Sequence, residues 1–148
     1  MVKNAQEQFV VDKTIRIEAP QDAIFRLLTE PDQMNRWMMT VVEFDARIGG
    51  KFRFVKSEWI ATGQVIEIDP PRSVAYTWDW ENAPLGARTV LRFELTKDGD
   101  GTLVHLTHAG FPDAERAKNH HEGWVYYLGR LKTVATGGDP GPDKMPEE

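Results

Sequence analysis

The hydrophobic pattern of this chain changes its period once, and that change most constrains the fold. Between residues 11 and 108, apolar and polar residues alternate in short runs separated by turn residues, which is typical of β-strands. Beyond residue 112 the apolar residues follow helical spacing instead. On a helical wheel, one wedge of about 60° contains Ala117, Trp124, Leu128, Leu131 and Ala135. The pattern predicts about seven strands followed by one long amphipathic helix, from about Asp113 to Ala135.

The connections between the predicted elements indicate how the sheet is built. The first strand, at residues 9–18, is followed by Pro20, which suits the first turn of a helix. A second short helix opens near Pro31. The later strands are joined by short turns such as residues 97–101, KDGDG, whose residue types accept positive φ angles. Because short turns join antiparallel neighbours, the sheet should be largely antiparallel.

This order of elements predicts a single α+β domain over residues 1–148. A curved, mostly antiparallel sheet of about six to seven strands needs a cover for its apolar face. The C-terminal helix is the only predicted element long enough to supply it, since the two helices after strand 1 are short. The ordered core should span about residues 9–136. The Pro- and Gly-rich tail, residues 137–148, is expected to be loosely held.

Composition excludes several classes of protein and site. The formal net charge is −5, which disfavours a nucleic-acid partner, since phosphate binding needs a basic surface. The chain has no cysteine, which excludes disulfides, thiolate zinc sites and a catalytic thiol. No apolar run approaches the roughly 20 residues of a membrane span, and the N-terminal residues lack a signal-peptide pattern. We therefore expect a cytoplasmic protein.

Tryptophan is abundant, with five in 148 residues. One face of a predicted strand carries Val74, Tyr76, Trp78 and Trp80. Two interpretations of this aromatic stripe are open, because large aromatic rings fill cores and also line pockets for small molecules.

The hexapeptide NHHEGW, residues 119–124, combines two histidines, a carboxylate and a tryptophan. A zinc-protease motif would need a second histidine at position 125, where the chain has Val125. His120 and His121 point about 100° apart on a helix, so both cannot face one metal ion. We expect no metal here, with Trp124 in the core or the wall of a pocket and the histidines at most at its rim.

His108 is the histidine with the most chemical interest. It shares a strand face with Val104 and Leu106, so its side chain should point inward. It is either a neutral, hydrogen-bonded core histidine or a polar anchor or proton-transfer group for a ligand. The sequence assigns no catalytic residue.

Five segments of the chain together resemble one known family. They are IEAPQDAIFRLLTEPDQMNRW (17–37), DARIGGKFRF (45–54), GQVIEIDPPRSVAYTW (63–78), DGTLVHLTHAGF (100–111) and HEGWVYYLGRL (121–131). In this order they resemble the Aha-type family, homologues of the activators of a heat-shock chaperone ATPase. That family belongs to the START-like, or SRPBCC, superfamily, with polyketide cyclases and birch-pollen allergens. No single segment is a catalytic signature.

The resemblance implies a helix-grip fold with an internal pocket between the sheet and the last helix. We expect this domain to bind a small, mostly apolar or aromatic molecule, without a cofactor, as a monomer or weak homodimer. Two alternatives stay open: a cyclase-, dehydratase- or hydrolase-like enzyme using the same pocket, and a domain that interacts with a chaperone. The fold alone does not choose between them.

The residues expected to contact the ligand lie on the apolar faces of these elements. They are Phe25, Trp37, Phe54, Val65, Tyr76, Trp78, Trp80, Phe93, His108, Phe111, His121, Trp124, Tyr127 and Leu128.

Overall fold

The structure, a computed structural model, describes residues 9–144. Within these residues the strands are β1 (Val11–Ile17), β2 (Thr40–Phe44), β3 (Lys51–Lys56), β4 (Trp59–Asp69), β5 (Ser73–Trp80), β6 (Thr89–Asp98) and β7 (Gly101–Ala109). The helices are α1 (Gln21–Thr29), α2 (Pro31–Met34) and α3 (Ala114–Ala135). This order confirms the predicted one.

The strands form one antiparallel sheet in the order β1-β7-β6-β5-β4-β3-β2. From β2 to β7 each strand pairs with its neighbour in sequence, and β1 pairs with β7. The register shifts between Val41 and Glu43 in β2 and between Val65 and Glu67 in β4. Such irregularities bend a strand and increase its twist, which suits a sheet that curves round a helix.

Helix α3 packs its apolar stripe against the inner face of this sheet. The Trp124 ring contacts Phe93 and Trp78, while Leu128 and Leu131 are fully buried. Asp113 caps the helix, because its side chain accepts a hydrogen bond from the backbone N–H of Arg116 at 2.8 Å. This arrangement confirms the helix-grip α+β fold. No helix within residues 9–144 is long and apolar enough to cross a membrane.

Trp37 anchors the two short helices to the core. Its indole N–H donates to the backbone oxygen of Leu27 at 2.7 Å, at the end of α1. Its ring meets that of Phe93 edge-on, with centroids 6.4 Å apart. Met38 and Met39, which follow it, are buried as well. The chain between α2 and β2 is therefore fixed beside the sheet.

Hydrogen bonds connect residues 140–144 of the tail to α3. Arg130, a buried residue of α3, donates through Nη1 to the backbone oxygens of residues 140, 141 and 142. The Tyr127 hydroxyl donates to Asp143 Oδ2 at 2.6 Å. The tail is held because its carbonyl groups satisfy a buried guanidinium. Residues 145–148 lie outside the described part of the chain.

Two glycines in different surroundings give opposite expectations for a change to alanine. A Cβ at Gly63, in β4, would lie 2.0 Å from the backbone oxygen of Thr77, so Gly63→Ala should destabilise the fold by about 2 kcal/mol or more. A Cβ at Gly129, in α3, would meet nothing within 4 Å, so Gly129→Ala should stabilise it by about 0.5–1 kcal/mol. Urea unfolding measures both changes. A Gly63→Ala protein as stable as the parent would contradict the close approach of β4 and β5.

Candidate functional site

A cavity of about 490 Å³ lies between the inner face of the sheet and α3. The residues that line it are Met38, Met39, Lys56, Trp59, Trp78, Trp80, Ala83, Pro84, Leu85, Arg116, Asn119, His120, Gly123, Trp124 and Tyr127. On one side its wall consists of the exposed residues Ala83, Pro84, Arg116 and Asn119. The cavity therefore opens to the surface there.

The sheet side of the wall is built of indole rings. Alternation turns Tyr76, Trp78 and Trp80 of β5 to the inner face, and the last two line the cavity. Trp80 meets Trp78 edge-on at a centroid distance of 5.4 Å and Trp59 of β4 at 5.8 Å. Edge-to-face packing is a favoured arrangement of aromatic rings. The result is a continuous aromatic surface at this end of the sheet.

The helix side of the wall follows the spacing of one helical face. On α3, the spacing i, i+3, i+4 and i+7 places His120, Gly123, Trp124 and Tyr127 on one face, so they face the cavity together. The Trp124 ring lies 5.4 Å from the Trp78 ring, centroid to centroid. These two indoles join the helix side of the wall to the sheet side.

A chain of hydrogen bonds connects this part of α3 to three strands. The Trp124 indole N–H donates to His108 Nδ1 at 3.0 Å. His108 Nε2 lies 2.9 Å from Thr89 Oγ1, and the Thr89 hydroxyl donates to the backbone oxygen of Trp78 at 2.6 Å. An indole nitrogen can only donate, so Nδ1 must be the acceptor and Nε2 must carry the proton. Each polar atom in the chain has its partner.

His108 is therefore held as a neutral imidazole. It is fully buried, and burial lowers its pKa well below the usual 6.5, with the nearby His120 acting in the same direction. Protonation at Nδ1 would also break the bond from Trp124. Of the two interpretations of His108, the hydrogen-bonded core histidine describes this geometry.

His120, which lines the cavity, has the opposite tautomer to His108. The Trp80 indole N–H donates to His120 Nε2 at 2.9 Å, so the proton is on Nδ1, which lies 2.7 Å from the backbone oxygen of Arg116. Burial lowers the pKa of His120, and the bond to the Arg116 carbonyl opposes this shift. His121 is exposed. In NHHEGW, His120 and Trp124 face the cavity and His121 does not.

The predicted contact residues fall into three groups. Trp78, Trp80, Trp124 and Tyr127 line the cavity. His121 is exposed and lies outside the wall. The remainder are buried in the core beside the cavity: Phe25, Trp37, Phe54, Val65, Tyr76, Phe93, His108, Phe111 and Leu128. The structure thus brings all but His121 into one core, of which the cavity wall is a small part.

Most residues of the wall were absent from the predicted contact list, and three of them have side chains of chemical interest: Lys56, Trp59 and His120. Lys56 is half-buried on the inner face of β3, two residues after the buried Phe54, and strand alternation could have placed it there. Trp59 is its partner across the β3–β4 hairpin. His120 could have been found from its distance to Trp124, because residues four apart share a helix face.

Two indole groups of the wall have no hydrogen-bond acceptor. Nε1 of Trp59 and Nε1 of Trp78 are buried without a partner among the described residues. An unpaired buried donor costs about 1–3 kcal/mol, so such groups are uncommon. Both belong to residues of the sheet wall.

A second cavity, of about 670 Å³, lies between the tail and the edge of β2 and β3. It shares Met38, Met39 and Lys56 with the first. The rest of its wall contains Arg36, Arg130 and two tail carboxylates, as well as backbone of residues 139–143. Although it is larger, its charged wall suits an apolar molecule less well than the indole-lined cavity does.

The chain matches the protein-family model described as "Activator of Hsp90 ATPase homolog 1-like protein" over residues 18–136. No protein of curated function matches it.

Solved structures provide a second comparison. An AHSA1-like protein from Rhizobium etli is 37% identical, with a TM-score of 0.74, and the match covers 95% of this chain and 89% of that one. CalU16 from Micromonospora echinospora is 29% identical, with a TM-score of 0.79, over 94% of this chain and 74% of that one. The Aha1 dimer from Colwellia psychrerythraea, 21% identical with a TM-score of 0.75, covers 87% and 95% of the two chains and shows a shared fold alone.

Substitutions at Trp124 and His121 should differ greatly in their effect on stability. Trp124→Ala removes a large buried ring and should cost about 3–5 kcal/mol. Trp124→Phe keeps a ring but leaves His108 Nδ1 without a donor, so we expect a loss of about 1–3 kcal/mol. His121→Ala, on the exposed surface, should cost about 0.5 kcal/mol or less. Thermal and urea unfolding measure the loss of stability in each of the three variants. A larger loss for His121→Ala than for Trp124→Ala would contradict the interpretation of NHHEGW.

Stability should fall as the pH is lowered from about 7.5 to about 5.5. In the unfolded chain His108 and His120 bind protons near the ordinary pKa of 6.5, whereas in the folded protein their pKa values are lowered, so they bind fewer protons at the same pH. The unfolded state therefore binds more protons, so the free energy of unfolding rises with pH in this window. The carboxylates of Glu67 and Asp113, whose pKa values are lowered, affect the pH dependence of stability only in a more acidic range. Urea unfolding midpoints measured at the two pH values test this prediction. His120→Gln should weaken the dependence of the midpoint on pH. A higher midpoint at about pH 5.5 than at about pH 7.5 would contradict the prediction.

Proposed function

The chain belongs to the family of activator of Hsp90 ATPase homolog 1-like proteins, and we propose that it binds a small, largely apolar, aromatic molecule in the cavity beneath α3. The observation that carries the proposal is the indole wall. Four of the five tryptophans of the chain line this one cavity: Trp59, Trp78, Trp80 and Trp124.

The size and chemistry of the cavity support a small ligand. Ligand pockets commonly have volumes of about 300–1,000 Å³ and apolar, aromatic walls with a few polar groups, and this cavity has about 490 Å³. Met38 and Met39 add flexible side chains that adapt to the shape of a guest. The exposed rim at Ala83 and Pro84 supplies an entrance.

The polar groups nearest the indoles support binding more than proton transfer. Both nitrogens of His108 and both nitrogens of His120 are engaged in hydrogen bonds within the protein. The Tyr127 hydroxyl is bound to Asp143, and burial together with this bond raises its pKa. A general base needs a free lone pair within reach of the substrate. Proton transfer by these groups would require an existing bond to break.

The proposal is tested with N-phenyl-1-naphthylamine, a neutral aromatic probe whose fluorescence rises in an apolar site. We expect saturable, stoichiometric binding together with quenching of tryptophan fluorescence. Ala83→Phe places a ring at the exposed rim of the cavity, so it should weaken binding by on the order of tenfold, which corresponds to about 1.4 kcal/mol.

The matched control is Ala46→Phe, which makes the same change at an exposed loop position outside the cavity wall. Its affinity for the probe should equal that of the parent. Equal weakening by both variants, or no saturable binding by the parent, would contradict the proposed function.

A further inference from the structure

A lysine occupies the inner face of β3, where alternation otherwise places phenylalanine. Phe52, Phe54 and Lys56 are two residues apart and point to the same side of the sheet. The first two are buried, and Lys56 is half-buried in the cavity wall. Lysine is seldom found facing a core unless it has a charged or polar partner. Its position next to the indoles needs a reason.

The charge of the wall has one sign. Lys56 and Arg116 line the cavity, and none of the described residues that line it is Asp or Glu, although the whole chain has a net charge of −5. Arg116 forms an ion pair with Asp113 outside the wall. Asp143, whose backbone oxygen lies 3.4 Å from Lys56 Nζ, belongs to the second cavity. The indole-lined cavity thus contains cationic groups and no carboxylate.

Donors without acceptors lie in the same part of the wall. Trp59 is the Cα partner of Lys56 across the β3–β4 hairpin, and Trp78 lies on the inner face of β5 beyond it. The indole N–H groups of Trp59 and Trp78 have no acceptor among the described residues. Both nitrogens are buried, so a guest in the cavity would reach them only if a ring turned. The Lys56 ammonium has three N–H donors and, within residues 9–144, one bond, of 3.4 Å to the backbone oxygen of Asp143, so it has donors left for a guest.

We propose that the natural ligand is an aromatic anion, a flat apolar ring system carrying one carboxylate, sulfonate or phenolate group. The rings pack against the indoles, and the anionic oxygen accepts a hydrogen bond from the Lys56 ammonium. A charge-assisted bond in a site shielded from water is stronger than the same bond at the surface. This inference rests on the proposed function and specifies the class of molecule that the same site takes.

The test compares two probes that share one aromatic frame. 8-Anilinonaphthalene-1-sulfonate carries an anionic group, and N-phenyl-1-naphthylamine lacks it. We expect the parent protein to bind the sulfonate on the order of tenfold more tightly. Lys56→Met removes the charge but keeps an apolar chain of similar length, so it should abolish this preference: the ratio of the two affinities should fall to about one, whatever the change in either affinity alone.

Lys51→Met is the matched control, because Lys51 is an exposed lysine of the same strand outside the cavity wall. It should keep the full preference for the sulfonate. A parent that binds the neutral probe as tightly as the sulfonate would overturn the anion proposal and leave the proposed function intact. Two other results would also overturn it. One is that Lys56→Met loses affinity for both probes by the same factor, and the other is that Lys51→Met loses the preference for the sulfonate as fully as Lys56→Met does. If neither probe binds to the parent, both proposals fail.

Discussion

The hydrogen-bond chain from Trp124 through His108 and Thr89 to the Trp78 carbonyl is the constraint on which the site depends. It lies in a dry interface, where an unpaired polar atom is costly and a fully paired chain fixes one arrangement. It joins α3 to β5, β6 and β7, so the position of the helix over the sheet is set by bonds as well as by apolar packing. Because Trp124 and Trp78 are at its two ends, the same chain sets the spacing of the two sides of the cavity wall.

Two histidines of this region each accept a hydrogen bond from a tryptophan indole, and they do so with opposite tautomers. His108 accepts an indole N–H at Nδ1, and His120 accepts one at Nε2. In each case the second nitrogen donates to an oxygen of the protein. The imidazoles therefore act as neutral connectors that orient tryptophan rings, and a positive charge on either would remove an acceptor that a tryptophan needs. This explains why the cavity has an apolar character although His120 is in its wall and His108 lies beside it.

The strands and the long helix could be predicted because period and turn chemistry are local properties of the sequence. The alternation in β5 and the helical spacing from Ala117 to Ala135 placed those elements within a residue or two. The cavity could not be located in this way. Tyr76 and Trp78 share a strand face, yet Tyr76 packs against Phe44 and Phe52 whereas Trp78 lines the cavity. The difference depends on where sheet and helix separate, which is a tertiary property that no local pattern encodes.

The attachment of the tail to Tyr127 has a consequence for how proteins of this shape diverge in evolution. Asp143 lies outside the wall of the indole-lined cavity, but it engages the hydroxyl of a residue that is part of that wall. A substitution of the Asp143 side chain would therefore alter the hydrogen-bonding capacity of the site, while the backbone oxygens of residues 140–142 could still accept from Arg130. Selection for a new guest molecule has in this surface side chain a route to adjust the chemistry of the interior.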